Sequence, residues 1–368
     1  MQGTFRFEQS MPTTALPVDG VVGRGAGIRP ANPHVAVRTE TETAADDPSP
    51  SRRLPTRHEP DATQSLVNRN DSPDLPFRWT LNPYRGCEHG CSYCYARPTH
   101  EFLGYDAGLA FESRLLVKHA AAPLLKKWLA RPEWQGEPIV FSGVTDCYQP
   151  AEREYRLTRA CLEVAEACGQ PVAIVTKNAL VTRDIDLLAS LAERQAAVVA
   201  ISLTTLDPHR CRSMEPRTST PAARLNAIRE LATAGIPVHA MLSPTIPGLN
   251  DHEASALLAA AAEQGATSAS YTLLRLPGAV REVFLEWLDR CEPTFAPKVR
   301  QLIGATRGGR FNDTRFHHRM TGIGPYAAHI ARTFRVFAAR NRLARTPLPL
   351  SRAAFRHPSA TSQQRLFC

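Results

Sequence analysis

The 368 residues are 43% apolar, which allows a sizeable core; by length they allow about two domains, or one barrel with extensions. The longest apolar runs, such as Ala196–Leu203, fall far short of the roughly 20 residues a membrane helix needs, and the first residues carry Glu8 and Asp19 without an apolar stretch. The chain therefore reads as soluble and cytoplasmic, with no membrane partner, and its nine cysteines belong to a reducing compartment where disulfides do not persist.

The net charge of +9 is segregated. From Pro293 onward one lysine and thirteen arginines face a single acid, Asp313, which gives +13 and leaves −4 for the preceding 292 residues. Such a basic quarter suits an anionic partner, nucleic acid above all, recruited toward the active site. The plainer alternative is a solubilising tail.

Residues 1–75 are rich in Pro, Thr, Arg, Asp and Ser and lack a sustained apolar period. Such a segment cannot bury enough apolar surface to offset its ordering entropy, so it reads as mostly disordered, with "GRG" at Gly23–Gly25 an unexplained island. Residues 76–292 form a core domain in which short apolar runs alternate with helical patterns. Runs at Pro138–Asp146, Pro171–Lys177, Ala196–Leu206, Pro237–Gly248 and Ser268–Gly278 are each followed by a helix-spaced segment. With the strand before Cys87 this makes six βα units, an α/β fold with a parallel sheet wrapped as an open or closed barrel. Residues 293–340 form a basic, mainly helical extension packed on that core, and 341–368 a disordered tail.

Polar residues gather at one end of these strands. Ser142, Thr145 and Asp146 end the second, Lys177 and Asn178 the third, Ser202 and Thr204 the fourth, Ser243 the fifth and Arg275 the sixth. The C-terminal mouth of a parallel barrel is where active sites lie. The loop after the first strand, "NPYRGCEHGCSYCYARPTHEF" (Asn82–Phe102), opens on the same mouth.

That loop carries Cys87, Cys91 and Cys94. A structural zinc site takes four ligands, usually as two pairs; here the second pair is missing, and His89, His100 or Cys147 would have to complete it. Iron–sulfur clusters are held by thiolates at short spacing, and a cubane with three protein ligands leaves one iron open to a small molecule.

C-x₃-C-x₂-C with an aromatic, Tyr93, before the last cysteine resembles the signature of the radical S-adenosylmethionine (SAM) superfamily. Together with "VTDCYQPAE" (Val144–Glu152), it is similar to the branch related to spore photoproduct lyase, over roughly Phe77 to Arg340, while "GRG", "NRNDSPDLPF" and "RFNDTRFHHRM" resemble an uncharacterised bacterial subgroup of that branch. The resemblance implies a partial (βα)6 TIM-like barrel holding a [4Fe-4S] cluster on Cys87, Cys91 and Cys94. It further implies reductive cleavage of SAM to a 5′-deoxyadenosyl radical, which takes hydrogen from an unidentified substrate. The enzyme would be of lyase or transferase type, with a flavodoxin or ferredoxin as electron donor.

On matching positions Tyr93 would pack against cluster and adenine. Ser142, Thr145 and Asp146 would contact the methionine amino group, although no Gly-Gly-Glu stands there. Lys177 would meet the methionine carboxylate, and Ser202 the carboxylate or ribose. Spore photoproduct lyase returns a hydrogen through a cysteine where this chain has Gly143; Cys147 is the nearby thiol. Repair of a thymine photoproduct is therefore not implied. Two other readings stand beside the enzyme. One is an iron–sulfur protein that binds nucleic acid without radical chemistry, through the Arg and aromatic residues of Arg307–Arg319; the other is a structural zinc module.

Overall fold

A computed structural model describes residues 21, 23–35 and 54–358. Its strands, in chain order, are β1 (Arg57–Pro60), β2 (Val67–Arg69), β3 (Trp79–Leu81), β4 (Tyr84–Arg85), β5 (Arg114–Val117), β6 (Ile139–Phe141), β7 (Val172–Thr176), β8 (Ala197–Ser202), β9 (Val238–Thr245) and β10 (Ser268–Leu273). The main sheet has the order β10-β9-β8-β7-β6-β3-β2. All pairs from β3 to β10 are parallel, and β2 lies antiparallel on the β3 edge. The six parallel strands are the six expected from the alternation. They wrap without closing, since β10 and β2 remain the two edges. A smaller sheet, β1-β5-β4, sits beside them.

Burial explains the strands. A parallel strand covered on both faces has to be apolar throughout, and all six residues of β8 are buried. Ala197, Val199 and Ile201 join the main core under the helices, so Val198, Ala200 and Ser202 turn to the inner side. The connecting helices obey local rules. Leu157–Cys168 buries Leu157, Cys161, Leu162, Ala165 and Cys168 and stops at Gly169, at φ 60°. Pro221–Thr233 starts with Pro221 in its first turn, and the Thr220 hydroxyl accepts from the Ala223 N–H. No described helix is long and apolar enough to cross a membrane.

Two described stretches, 54–75 and 341–358, differ from the expectation of disorder. Much of that expectation (residues 1–20, 22, 36–53 and 359–368) lies outside the described residues. Residues 54–75, however, supply β1 and β2, paired to β5 and β3. Backbone pairing and two buried side chains, Leu66 and Val67, anchor a segment that composition alone makes look unfoldable. At the other end the Ala344 carbonyl accepts from Ala269 N–H, and Phe355 lies over Gly136. Between them the basic extension forms helices Ala296–Thr306 and Gly324–Arg340, the second with Phe334 and Ala338 in the main core.

One residue of the basic quarter is not a surface charge at all. Arg307 is 2% exposed and donates to the carbonyls of Leu273, Leu274, His318 and Arg319. Burial holds its pKa down to about 10. It fastens the loop 307–320 to the end of β10. Arg307→Gln should therefore lower stability by about 1–3 kcal/mol, the cost of leaving buried carbonyls without donors. The urea midpoint reads this directly, and an unchanged midpoint would mean the loop is held by other contacts.

Candidate active site

The cysteine loop is held from outside before it can hold anything itself. Arg97 and Glu112, both 0% exposed, pair at 2.5 Å. Arg97 also donates to the Cys91 carbonyl at 2.7 Å and to those of Ala107 and Gly108. Glu112 accepts from the backbone N–H groups of Gly25 and Ala26, while Arg24 reaches the Glu112 carbonyl. The Gly23–Gly25 island is thus a strap laid across the loop. A Cβ on Gly25 would stand 1.7 Å from the Gly90 carbonyl oxygen, so only glycine lets the two backbones meet.

Cys87 and Cys91 are buried and Cys94 is half-buried; all are unbridged thiols. Burial pushes all three thiols up; Asp146 adds to this at Cys87 and Glu215 at Cys91, while Arg97 opposes it at Cys94. Left bare, thiolates here are costly, and bound metal is what makes such anions favourable. A tetrahedral zinc would need a fourth ligand beside the three thiols. Thiolates of a cluster each take their own iron, so three thiols on one loop suit it. Of the alternative zinc ligands, His89 and Cys147 are engaged elsewhere, whereas both ring nitrogens of His100 are buried without a hydrogen-bond partner among the described residues. His89 faces Asp146 at 3.3 Å and Asn178 at 3.3 Å; His100 packs on Tyr105 and Phe111; Cys147 is part of the main core.

The expected cofactor contacts fall into two groups. Tyr93, Lys177 and Ser202 stand at the mouth. The Tyr93 hydroxyl donates to Glu215, which also accepts from Thr204 and Arg224. The Lys177 ammonium lies 5.7 Å from the centre of the Tyr93 ring and forms no ion pair among the described residues. Ser202 ends β8, its hydroxyl donating to the Ser243 carbonyl at 2.9 Å.

Ser142, Thr145 and Asp146 instead have their polar atoms engaged in fixing the β6 loop. Ser142, at φ 74°, accepts from the Cys147 N–H. The Thr145 hydroxyl bonds Asn82 and the Tyr84 carbonyl. Asp146 accepts from Tyr148 N–H, Thr176 hydroxyl and Lys177 N–H and faces His89. It is the hub joining the β6 loop, the end of β7 and the cysteine loop. The Gly143 position has no room for a side chain, since a Cβ there would lie 2.7 Å from Thr80, and the Cys147 thiol is fully buried.

Four residues of the site escape a reading by strand ends: Arg97, Glu112, Glu215 and Tyr95. The only local signals are the "GRG" island and the second tyrosine after Cys94. Tyr95 is 51% exposed and donates to the Gly143 carbonyl at 3.2 Å, so its ring crosses from the cysteine loop to the β6 end.

A partial parallel barrel whose first strand leads into a three-cysteine loop at the C-terminal mouth is the arrangement of a radical SAM enzyme. Residues 81–261 match the family described as the Radical SAM superfamily. Over 249 residues the chain is 39% identical to an uncharacterized protein of Mycobacterium tuberculosis, covering 67% of this chain and 73% of that one. It is 30% identical over 176 residues to an uncharacterized protein of Methanocaldococcus jannaschii, covering 48% and 63%. Among solved structures, spore photoproduct lyase complexed with dinucleoside spore photoproduct matches at a TM-score of 0.52 and 17% identity, over 77% of this chain and 78% of that one. That likeness is one of fold. The chain belongs to the radical SAM superfamily and is an enzyme of that kind.

The Asp146 hub has a pH signature. Burial alone would raise its pKa, but His89 and the N–H groups of Lys177 and Tyr148 more than reverse this and hold it below the usual carboxylate range. The unfolded chain then binds the proton first, so stability from Asp146 is complete above about pH 4 and is lost as pH falls through the lower folded value. Asp146→Asn should cost about 1–3 kcal/mol at neutral pH and flatten the acid limb of the unfolding profile of cluster-free protein. An acid limb as steep as that of the wild type would remove Asp146 from this role.

Proposed function

We propose that Cys87, Cys91 and Cys94 hold a [4Fe-4S] cluster whose open iron takes SAM, and that the enzyme abstracts hydrogen from a substrate at the barrel mouth. When bound, the cluster and SAM supply reductive cleavage of the sulfonium to methionine and a 5′-deoxyadenosyl radical. The observation that carries this reading is the set of three unbridged, largely buried thiols on one strapped loop, beside a lysine with no anionic partner among the described residues. Lys177 offers a point charge to the methionine carboxylate, Ser202 a hydroxyl beside it, and Tyr93, fixed by Glu215, a ring face. Ser142, Thr145 and Asp146 act as positioning residues that set where Lys177 and the cysteine loop stand.

The reductant in this reading is a one-electron protein donor such as a flavodoxin or ferredoxin, and the setting is the cytoplasm. The substrate is anionic, with nucleic acid the favoured class. Support comes from the exposed Arg310 and Phe316 in the loop after the helix Ala296–Thr306, and from the dinucleoside ligand of the spore photoproduct lyase structure. Hydrogen return through Cys147 is not part of the proposal, because that thiol is enclosed in the core.

Two measurements test the cofactor assignment. After anaerobic reconstitution, Ala at Cys87, Cys91 or Cys94 should abolish the visible absorption and the iron content, while Cys291→Ala retains both. Four irons per chain in the triple variant would end the hypothesis. With the cluster intact, Lys177→Ala should weaken SAM binding by ~1–3 kcal/mol, as for loss of a charged partner. Unchanged affinity by calorimetry would put Lys177 outside the cofactor site.

A further inference from the structure

Two cations face the cysteine loop, each over a different tyrosine flanking Cys94. Lys177 lies by Tyr93, on the β7 side. Arg275, which follows β10, lies with its Cζ 5.9 Å from the centre of the Tyr95 ring. The first is accounted for by the cofactor; the second is not.

Arg275 makes no ion pair among the described residues. Its Nη1 reaches only the Met320 sulfur, at 3.6 Å, and its Nε is buried without any hydrogen-bond partner. The acid nearest in charge, Asp74, is already bound by Arg319 and the His317 N–H. Burial and Arg319 both disfavour the charge on Arg275. A half-buried guanidinium with an unfilled donor can take an acceptor. Its fork matches a planar or tetrahedral oxoanion. The location is also right. Tyr95 spans from the cysteine loop to the Gly143 carbonyl with half its surface open, and Val144 beside that carbonyl is exposed. Arg275 meets this open ring from the last strand of the barrel.

We propose that Arg275 is an oxoanion-binding residue of the substrate site, taking a phosphate or carboxylate group of the substrate at the barrel mouth against Tyr95. This rests on the reading of the mouth as the active site. It assigns the cofactor carboxylate and the substrate anion to separate cations on opposite sides of Cys94.

The test is calorimetry on the cluster-loaded full-length protein with SAM present, using inorganic phosphate, acetate and a dinucleoside monophosphate as probes. Arg275→Gln should weaken the best-bound probe about tenfold or more, the scale of a lost charge-assisted bond. Arg194→Gln, which removes the same charge before β8 at the far end of the strands, should retain it. Preference for the two phosphate probes assigns a phosphate, preference for acetate a carboxylate, and either upholds the proposal. Equal binding by wild type and Arg275→Gln, or no probe bound at all, overturns it. So does a loss of SAM affinity in Arg275→Gln, which would assign Arg275 to the cofactor. If Arg275→Gln does not fold, Arg275→Lys keeps the charge without the fork and should still weaken binding; unchanged affinity there overturns the proposal as well. A protein that binds the probes through Arg275 but never cleaves SAM overturns the cofactor reading alone.

Discussion

The cysteine loop depends on one buried ion pair. Arg97 and Glu112 are completely enclosed, and removing one partner of such a pair typically costs about 3–5 kcal/mol because the other charge is stranded. Here the pair is also fully hydrogen-bonded. It gathers the carbonyls of Cys91, Ala107 and Gly108 and the N–H groups of Gly25 and Ala26. The N-terminal strap, residues 107–108 and the helix Leu109–Ser113 are thereby locked to the loop. A loop that must keep three thiols in register while excluding water needs rigidity of this sort, and it comes from outside the thiols.

The charges around the loop are graded in the same manner. Glu215 and Asp146 raise the cost of an anion at Cys91 and Cys87, yet each is answered, Glu215 by Arg224 and Asp146 by His89. Lys177 and Arg97 favour the thiolate at Cys94, and Lys177 does so at Cys91. Lys177 is the one that keeps its ammonium unpaired among the described residues. The role proposed for Lys177 toward a ligand carboxylate requires such an uncommitted charge, and the backbone bond from Lys177 to Asp146 fixes its origin without neutralising its end.

The parallel core was legible because strands buried on both faces have to be continuous apolar runs, and their polar ends stand out. β6 through β10 and the mouth residues Lys177, Ser202 and Arg275 follow from that contrast alone. The strap was not legible. Arg24, Gly25 and Ala26 act through long-range contacts with Glu112, 86 to 88 residues away, and no periodicity marks them. Nor does composition reveal β1 and β2, since edge pairing uses backbone groups that every sequence carries. At the site, the strand-end rule located Thr145 and Asp146 but not their partners within the protein, Asn82, Tyr84, Tyr148, Thr176 and Lys177, which come from loops distant in sequence or from backbone groups that carry no sequence signal.

The basic quarter shows why a charge count is not a field. Of its arginines, Arg307 is buried on carbonyls, while Arg300, Arg315 and Arg319 are paired with Asp289, Asp313 and Asp74. The helix Gly324–Arg340 begins near Leu273, where Gly322 touches that side chain, and its continuation reaches Ser268 through Ala344. Over 17 residues that is a descent of about 25 Å, from the mouth to the opposite end of β10. Arg340, Arg342 and Arg345 therefore lie at the far end, as do Arg352 and Arg356, whose segment packs by Gly169 and Cys168. Exposed charges separated by more than roughly 8 Å are screened at physiological salt. Most of the formal +13 thus cannot steer an anion into the barrel, as the sequence alone had led one to expect. What acts on a substrate at the mouth is the few cations that stand there, and of these Lys177 and Arg275 form no ion pair among the described residues.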